Sequence, residues 1–157
     1  MRGHGDGPAP DFASWVGPHL LPARRLAARL APYDAEDVLQ DALTRAWRRR
    51  ETFDPARGTV SAWLCGIVAD QCRQRRRRER PDVETLPPAM RDDAAAVDVE
   101  LAIRKLAPRQ RQVVELHYFA GLPVADVAAA LGISEGTVKS TLADARARLR
   151  DLLEVAV

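Results

Sequence analysis

This 157-residue sequence predicts an all-α fold in two small helical domains, and three observations carry that reading. Alanine and leucine are abundant while β-branched residues do not occur in runs, which favours helix over strand. Apolar residues recur at three- and four-residue spacing through most of the chain, so each segment presents one buried stripe. A proline-rich, acidic stretch at residues 81–97 lacks that period and reads as a flexible linker between two periodic blocks.

The elements follow in order. Residues 1–10 are rich in glycine and proline and read as a disordered tail. Helical patterning runs from Asp11 to about Leu30, with a break expected near Pro18 and Pro22. Asp34 is placed to cap the next helix, and Glu36 and Asp37 lie in its first turn, where the helix dipole favours anions. That helix extends to about Arg50 with Leu39, Ala42, Leu43 and Ala46 inward; Asp37, Gln40, Asp41 and Thr44 share the opposite face. Residues 51–58 hold Pro55 and Gly58 and read as a loop carrying Phe53. A third helix starts near Thr59, buries Val60, Trp63, Leu64 and Ile67, and ends in an arginine run.

The second block starts near Asp98, with Leu101, Ile103 and Leu106 as core candidates. Pro108 opens a further helix at its first turn, with Val113, Val114 and Leu116 inward. The chain closes on a helix-turn-helix pattern. Val124, Val127, Ala128 and Leu131 form one stripe, Gly132 stands where the chain must turn through positive φ, and Ser134 is placed to cap the last helix. In that helix Val138, Leu142, Ala145 and Leu149 line up inward, leaving Thr137, Lys139, Ser140 and Asp144 outward. Such a pair presents its second helix to the DNA major groove, although a plain helical hairpin uses the same apolar spacing.

Charge adds to this. The balance is near neutral, with 24 Lys and Arg against 22 Asp and Glu, but Arg73, Arg75, Arg76, Arg77, Arg78 and Arg80 are crowded into one short run. A block of that kind is either a polyanion-facing patch or a solvated helix end. Cys65 and Cys72 lie about 10 Å apart along one straight helix, too far to bridge, and read as small buried hydrophobes. His4, His19 and His117 form no set, and no phosphate loop, metal cluster or nucleophilic triad is present in the sequence, so neither an enzyme nor a cofactor is expected. With no signal peptide or long apolar segment, the expected place is the cytoplasm.

Several strings, in order, resemble one family. These are Asp34-Ala35-Glu36-Asp37-Val38-Leu39-Gln40-Asp41 with Arg45-Ala46-Trp47, then Phe53, then Trp63-Leu64 with Ile67. In the second block they are Leu106-Ala107-Pro108-Arg109-Gln110-Arg111 and Gly136-Thr137-Val138-Lys139-Ser140. Together they resemble the bacterial RNA polymerase sigma factors of the extracytoplasmic-function (ECF) type. The resemblance implies a region-two-like domain at 11–80, binding core polymerase and the promoter −10 element, and a region-four-like domain at 98–157, binding the −35 element. By resemblance, Asp37, Gln40, Asp41 and Thr44 dock on the polymerase. Phe53 either stacks on an unpaired base or plugs its own core, and Asp70, Arg73, Arg75, Arg76, Arg77 and Arg78 line the −10 region.

Thr137, Lys139, Ser140, Asp144 and Arg146 are the −35 candidates. In the family an Asn is common where Asp70 stands, an Arg where Thr141 stands, and basic residues where Ala143 and Asp144 stand. Asp70 near DNA repels phosphate, whereas Asp144 can accept from a cytosine amino group. The implied partners are core RNA polymerase, promoter DNA and an anti-sigma protein, with no direct membrane contact and a monomeric free state. The rivals are a stand-alone helix-turn-helix operator-binding regulator and a sigma-like adaptor with weak DNA binding. Two separately acting modules are expected, and one continuous core across the proline-rich joint would count against that picture.

Overall fold

A computed structural model of the chain describes residues 11–78 and 94–155. The expected disordered tail at 1–10 and most of the expected linker, residues 81–93, lie outside the described residues. Helix α1 is Phe12–Val16, capped by the Asp11 carboxylate, which accepts from the Ala13 amide at 3.1 Å. A 3₁₀ turn at Gly17–His19 carries Pro18 in its first turn and passes into α2, Leu20–Leu30. The break near the prolines thus takes the form of a tighter turn, where the missing proline N–H costs nothing.

Helix α3 is Ala35–Arg48 and buries Val38, Ala42 and Ala46. Asp34 stands at its N-cap, but contrary to expectation its side chain makes no capping bond. Leu39 and Leu43 are only partly buried and flank the stripe centred on Val38. Helix α4 is Val60–Arg78; α2, α3 and α4 pack mutually around Leu26, Val38, Leu64, Cys65 and Val68.

In the second module, α5 is Ala94–Arg104, so four residues assigned to the linker are helical. Its buried positions are Glu100, Ala102 and Ile103, while Leu101, expected in the core, is 42% exposed. Neighbouring helical residues lie about 100° apart, so a stripe centred on Ala102, Ile103 and Leu106 leaves Leu101 on the far side of the helix. Helix α6, Pro108–Val114, continues through a π-helical turn at Glu115–Phe119. The Gln110 side chain caps its start by accepting from the Ala107 amide at 3.2 Å. Helices α7, Val124–Leu131, and α8, Glu135–Val155, complete the chain, and α8 packs on α5, α6 and α7.

The modules do not stand apart. Buried apolar residues form one continuous cluster from Val16 in α1 to Ala145 in α8. Helix α7 lies against α4, and the π-helical turn lies against α2. This corrects the expectation of separately acting modules. Helix α4 carries apolar or small residues on a second side, and the sequence of α4 alone does not say that another module covers it. Among the described residues no helix is long and apolar enough to cross a membrane.

Candidate nucleic-acid interface

The helix-turn-helix forms as its residues dictate. Gly132 adopts φ 67° and ψ 35°, the left-handed conformation that L side chains avoid. The Ser134 hydroxyl accepts from the Thr137 amide at 3.1 Å, satisfying one of the free donors of the first turn of α8. Val138, Leu142 and Ala145 are buried, which turns Thr137, Lys139, Ser140, Asp144 and Arg146 to solvent together. Three of these are already engaged. The Thr137 and Ser134 hydroxyls lie 2.8 Å apart, Ser140 donates to the Thr137 carbonyl at 3.1 Å, and Arg146 donates to the Tyr118 hydroxyl at 3.0 Å.

On the first module, Asp37, Gln40, Asp41 and Thr44 are all exposed along one face of α3, as expected. Thr44 bonds back to the Gln40 carbonyl at 2.9 Å. Asp41 is not free. Its carboxylate accepts from Arg75 at 2.7 Å and from Gln71 at 3.4 Å. One helical turn further along, Arg45 donates to the Gln74 side chain at 2.6 Å. The polar edge of α3 is thus laced to α4.

The arginine run divides in the same way. Arg73 pairs with Asp70 one turn earlier, so two residues of the expected −10 surface neutralise each other, which offsets the repulsion an isolated Asp70 would exert on phosphate. Arg75 pairs with Asp41, and Arg76 donates to the Leu30 carbonyl at 3.3 Å. Arg77 is exposed, and the Arg78 side chain lies outside the described residues.

Phe53 is half-buried and sits edge-on to Trp15 and tilted to Trp63, with ring centroids 5.4 Å away in each case. Trp63 is half-buried within this aromatic group rather than fully in the core. Beside Phe53 opens a cavity of about 350 Å³ walled by Thr52, Asp54, Arg57, Thr59 and Trp63. Phe53 therefore braces the first module and also walls a cavity. Arg57, paired with Asp54 at 3.8 Å, is a cavity residue that the sequence alone did not single out. Its only local signal is the Asp-Pro-x-Arg spacing of the loop.

Between the modules the chemistry is less ordinary. Arg29 of α2 pairs with Glu100 of α5, and its guanidinium lies 4.1 Å from the centre of the Phe119 ring. Arg104 approaches the same carboxylate at 3.5 Å. Glu115 is buried, and desolvation pushes its pKa up even though Arg29, Arg76 and Arg111 pull it down. Burial pushes the Cys65 thiol up to about 12, with the Asp126 charge adding to it. Burial also raises Cys72. Both thiols are free, buried and held protonated, as small hydrophobes are. Among the described residues no group of His, Cys, Asp and Glu could hold a metal.

Two sequence families match this arrangement in chain order. Sigma-70 region 2 matches residues 15–81, and Sigma-70 region 4 matches residues 96–149. The chain belongs to the sigma-70 family of RNA polymerase sigma factors, in its ECF type. It is 37% identical over 153 residues to the RNA polymerase sigma-E factor of Streptomyces coelicolor, covering 91% of this chain and 86% of that one. It is 41% identical over 138 residues to the ECF sigma factor SigM of Mycobacterium tuberculosis, covering 82% of this chain and 68% of SigM.

Among solved structures, the sigma factor RpoE of Bartonella quintana, crystallised with the anti-sigma factor NepR, superposes with a TM-score of 0.70 at 30% identity, covering 94% of this chain and 99% of that one. CnrH, solved with the cytosolic domain of CnrY, gives 0.66 at 29% identity over 92% and 86% of the two chains. The protein is a non-enzymatic initiation factor that binds core RNA polymerase and promoter DNA and directs promoter recognition. Neither the stand-alone operator regulator nor the adaptor reading is favoured.

Proposed function

We propose that this sigma factor docks on core polymerase through Asp37, Gln40, Asp41 and Thr44, and that it accepts an unpaired base of the −10 element beside Phe53. The observation that carries the reading is the cavity of about 350 Å³ walled by Phe53 and Trp63. Stacking of a base on an aromatic ring is worth about 1–3 kcal/mol, which helps offset the cost of unpairing it. Arg73, Arg75, Arg76, Arg77 and Arg78 hold phosphates alongside, with Arg57 at the cavity mouth. Thr137, Lys139, Ser140, Asp144 and Arg146 read the −35 element from the exposed face of α8, and Arg148 and Arg150 extend that contact along the backbone.

Strand opening in this scheme is driven by binding energy to exposed bases, and the polymerase supplies the nucleotide chemistry. An anti-sigma protein is the partner that restrains the factor. Support comes from RpoE, which was crystallised with the anti-sigma factor NepR. We place the working protein in the cytoplasm as a monomer when free, without direct membrane contact.

Transcription by core enzyme plus this protein on genomic fragments, with start sites mapped, tests the reading. Discrete start sites that depend on the protein and share two upstream elements are the expected result. Polymerase binding without any such start site would overturn it in favour of the adaptor.

A further inference from the structure

We propose that a cavity between α2, α4 and α6 is a binding site for a small aliphatic monocarboxylate, whose charged end meets Arg111 and Glu115 and whose chain lies on leucine side chains. The proposal is independent of the surfaces assigned to polymerase and promoter.

The cavity holds about 180 Å³. At about 30 Å³ for each water-sized group it has room for about six of them, enough for a carboxylate and a chain of four carbons. Its apolar wall is aliphatic, formed by Leu26 and Leu30 of α2, Ala69 of α4, Leu116 of the π-helical turn and Leu131 of α7. An apolar wall with a few polar groups converging on one end is the usual form of a small-molecule site.

Those polar groups favour an anion. Arg73, Arg76 and Arg111 line the cavity against a single acidic residue, Glu115. Arg73 is matched by Asp70, and the two remaining cations still outnumber the one carboxylate.

Two of the groups lack partners. Glu115 is only 7% exposed, yet its carboxylate makes no hydrogen bond or ion pair with any described residue. The Nε of Arg111 is buried and also unpartnered, although the same guanidinium donates to the Arg104 carbonyl. Buried polar groups are nearly always paired, so one ligand that satisfies both fits the site. A carboxylate does so. One of its oxygens accepts from Arg111 Nε, and the other accepts from the protonated carboxyl of Glu115. Desolvation already favours that proton. The charged groups facing Glu115 are Arg29 of α2, Arg76 of α4, Glu100 of α5 and Arg111 of α6, and its field reaches Cys72 of α4. An ammonium would satisfy Glu115 but leave Arg111 unpaired beside a further cation.

Calorimetric titration of the full chain with pentanoate tests the site, with acetate and pentylamine as controls that lack the chain or the negative charge. Pentanoate is expected to bind one to one, at least about tenfold more tightly than either control. Because the bound form keeps a proton on Glu115, affinity is expected to fall at least about threefold between pH 6 and pH 8. In Glu115→Gln the amide donates at any pH, so binding persists and that dependence disappears. Ala69→Leu fills the cavity and Arg111→Met removes a donor. Each is expected to weaken binding at least about tenfold, with circular dichroism confirming that the helices remain. Absence of saturable pentanoate binding, equal affinity for either control, undiminished binding in Ala69→Leu, or a wild-type affinity that ignores pH would each overturn the proposal.

Discussion

Arg75 of α4 donates to Asp41 of α3 at 2.7 Å, tying the helix with the arginine run to the polar face assigned to polymerase. The side chains are 27% and 52% exposed, so the pair adds little stability, about 0.2–1 kcal/mol. Its effect is on availability. While Asp41 holds Arg75, each is partly withdrawn from the partner proposed for it.

Reversing charge at Asp37 and Asp41 together, as Asp37→Arg with Asp41→Arg, is expected to weaken binding to core polymerase by tenfold or more, about 1.4 kcal/mol. The melting temperature should stay within a few degrees of wild type, since both residues are exposed. A binding titration checks this, and wild-type affinity in the double variant would remove the docking face.

Replacing Arg75, Arg76, Arg77 and Arg78 with Gln is expected to flatten the salt dependence of promoter binding by polymerase carrying this factor. Each phosphate left without its arginine lowers the slope of log affinity against log salt by about 0.9. Arg75 should contribute less than Arg77 because Asp41 competes for it. An unchanged slope rules out the phosphate role.

Ser134→Ala is expected to cost about 1 kcal/mol of stability, because it leaves the Thr137 amide without its acceptor at the start of α8. The same change frees the Thr137 hydroxyl from its 2.8 Å contact with Ser134. Urea unfolding measures the loss; a midpoint equal to wild type would show that the cap contributes nothing.

Glu115 sets a pH dependence with a definite sign. Its folded pKa is raised by desolvation above the unfolded value, so the folded state binds the proton more tightly. The stability this confers is complete below the ordinary glutamate range and is lost as pH rises through the raised folded value. Glu115→Gln should therefore raise the melting temperature at neutral pH and leave it nearly unchanged in acid. Melting curves from pH 4 to pH 8 that show equal shifts throughout would contradict this.

Much of the fold is legible in particular residues. Asp11 to Leu30 with its prolines, the Val127 to Leu142 pattern, the turn at Gly132 and the cap at Ser134 all form as their local chemistry requires. Asp34 shows the limit of that reasoning, since a residue suited to capping makes no capping bond here. Leu101 shows another, because an apolar residue opposite the buried stripe is turned outward by what its neighbours bury.

The candidate surfaces divide along the same line. That Asp37, Gln40, Asp41 and Thr44 share a face, and that Thr137, Lys139, Ser140 and Asp144 share another, follows from helical spacing alone. The engagement of Asp41 by Arg75, of Asp70 by Arg73, and of Arg146 by Tyr118 depends on side-chain positions that spacing leaves open.

By itself, then, the amino-acid order determined the helices, their breaks and caps, their buried stripes and the family to which they belong. These are decided by interactions within a turn or two of the chain, where composition and geometry are directly linked. Only the tertiary structure decided that α7 would lie against α4 and the Gly58 loop before it, that Arg29 would reach Glu100 from the other module, and that Glu115 would be buried. A periodic stripe specifies that a face is hidden, not which surface hides it. That choice rests on contacts between residues far apart in the chain, whose shape and charge match only once both modules are folded.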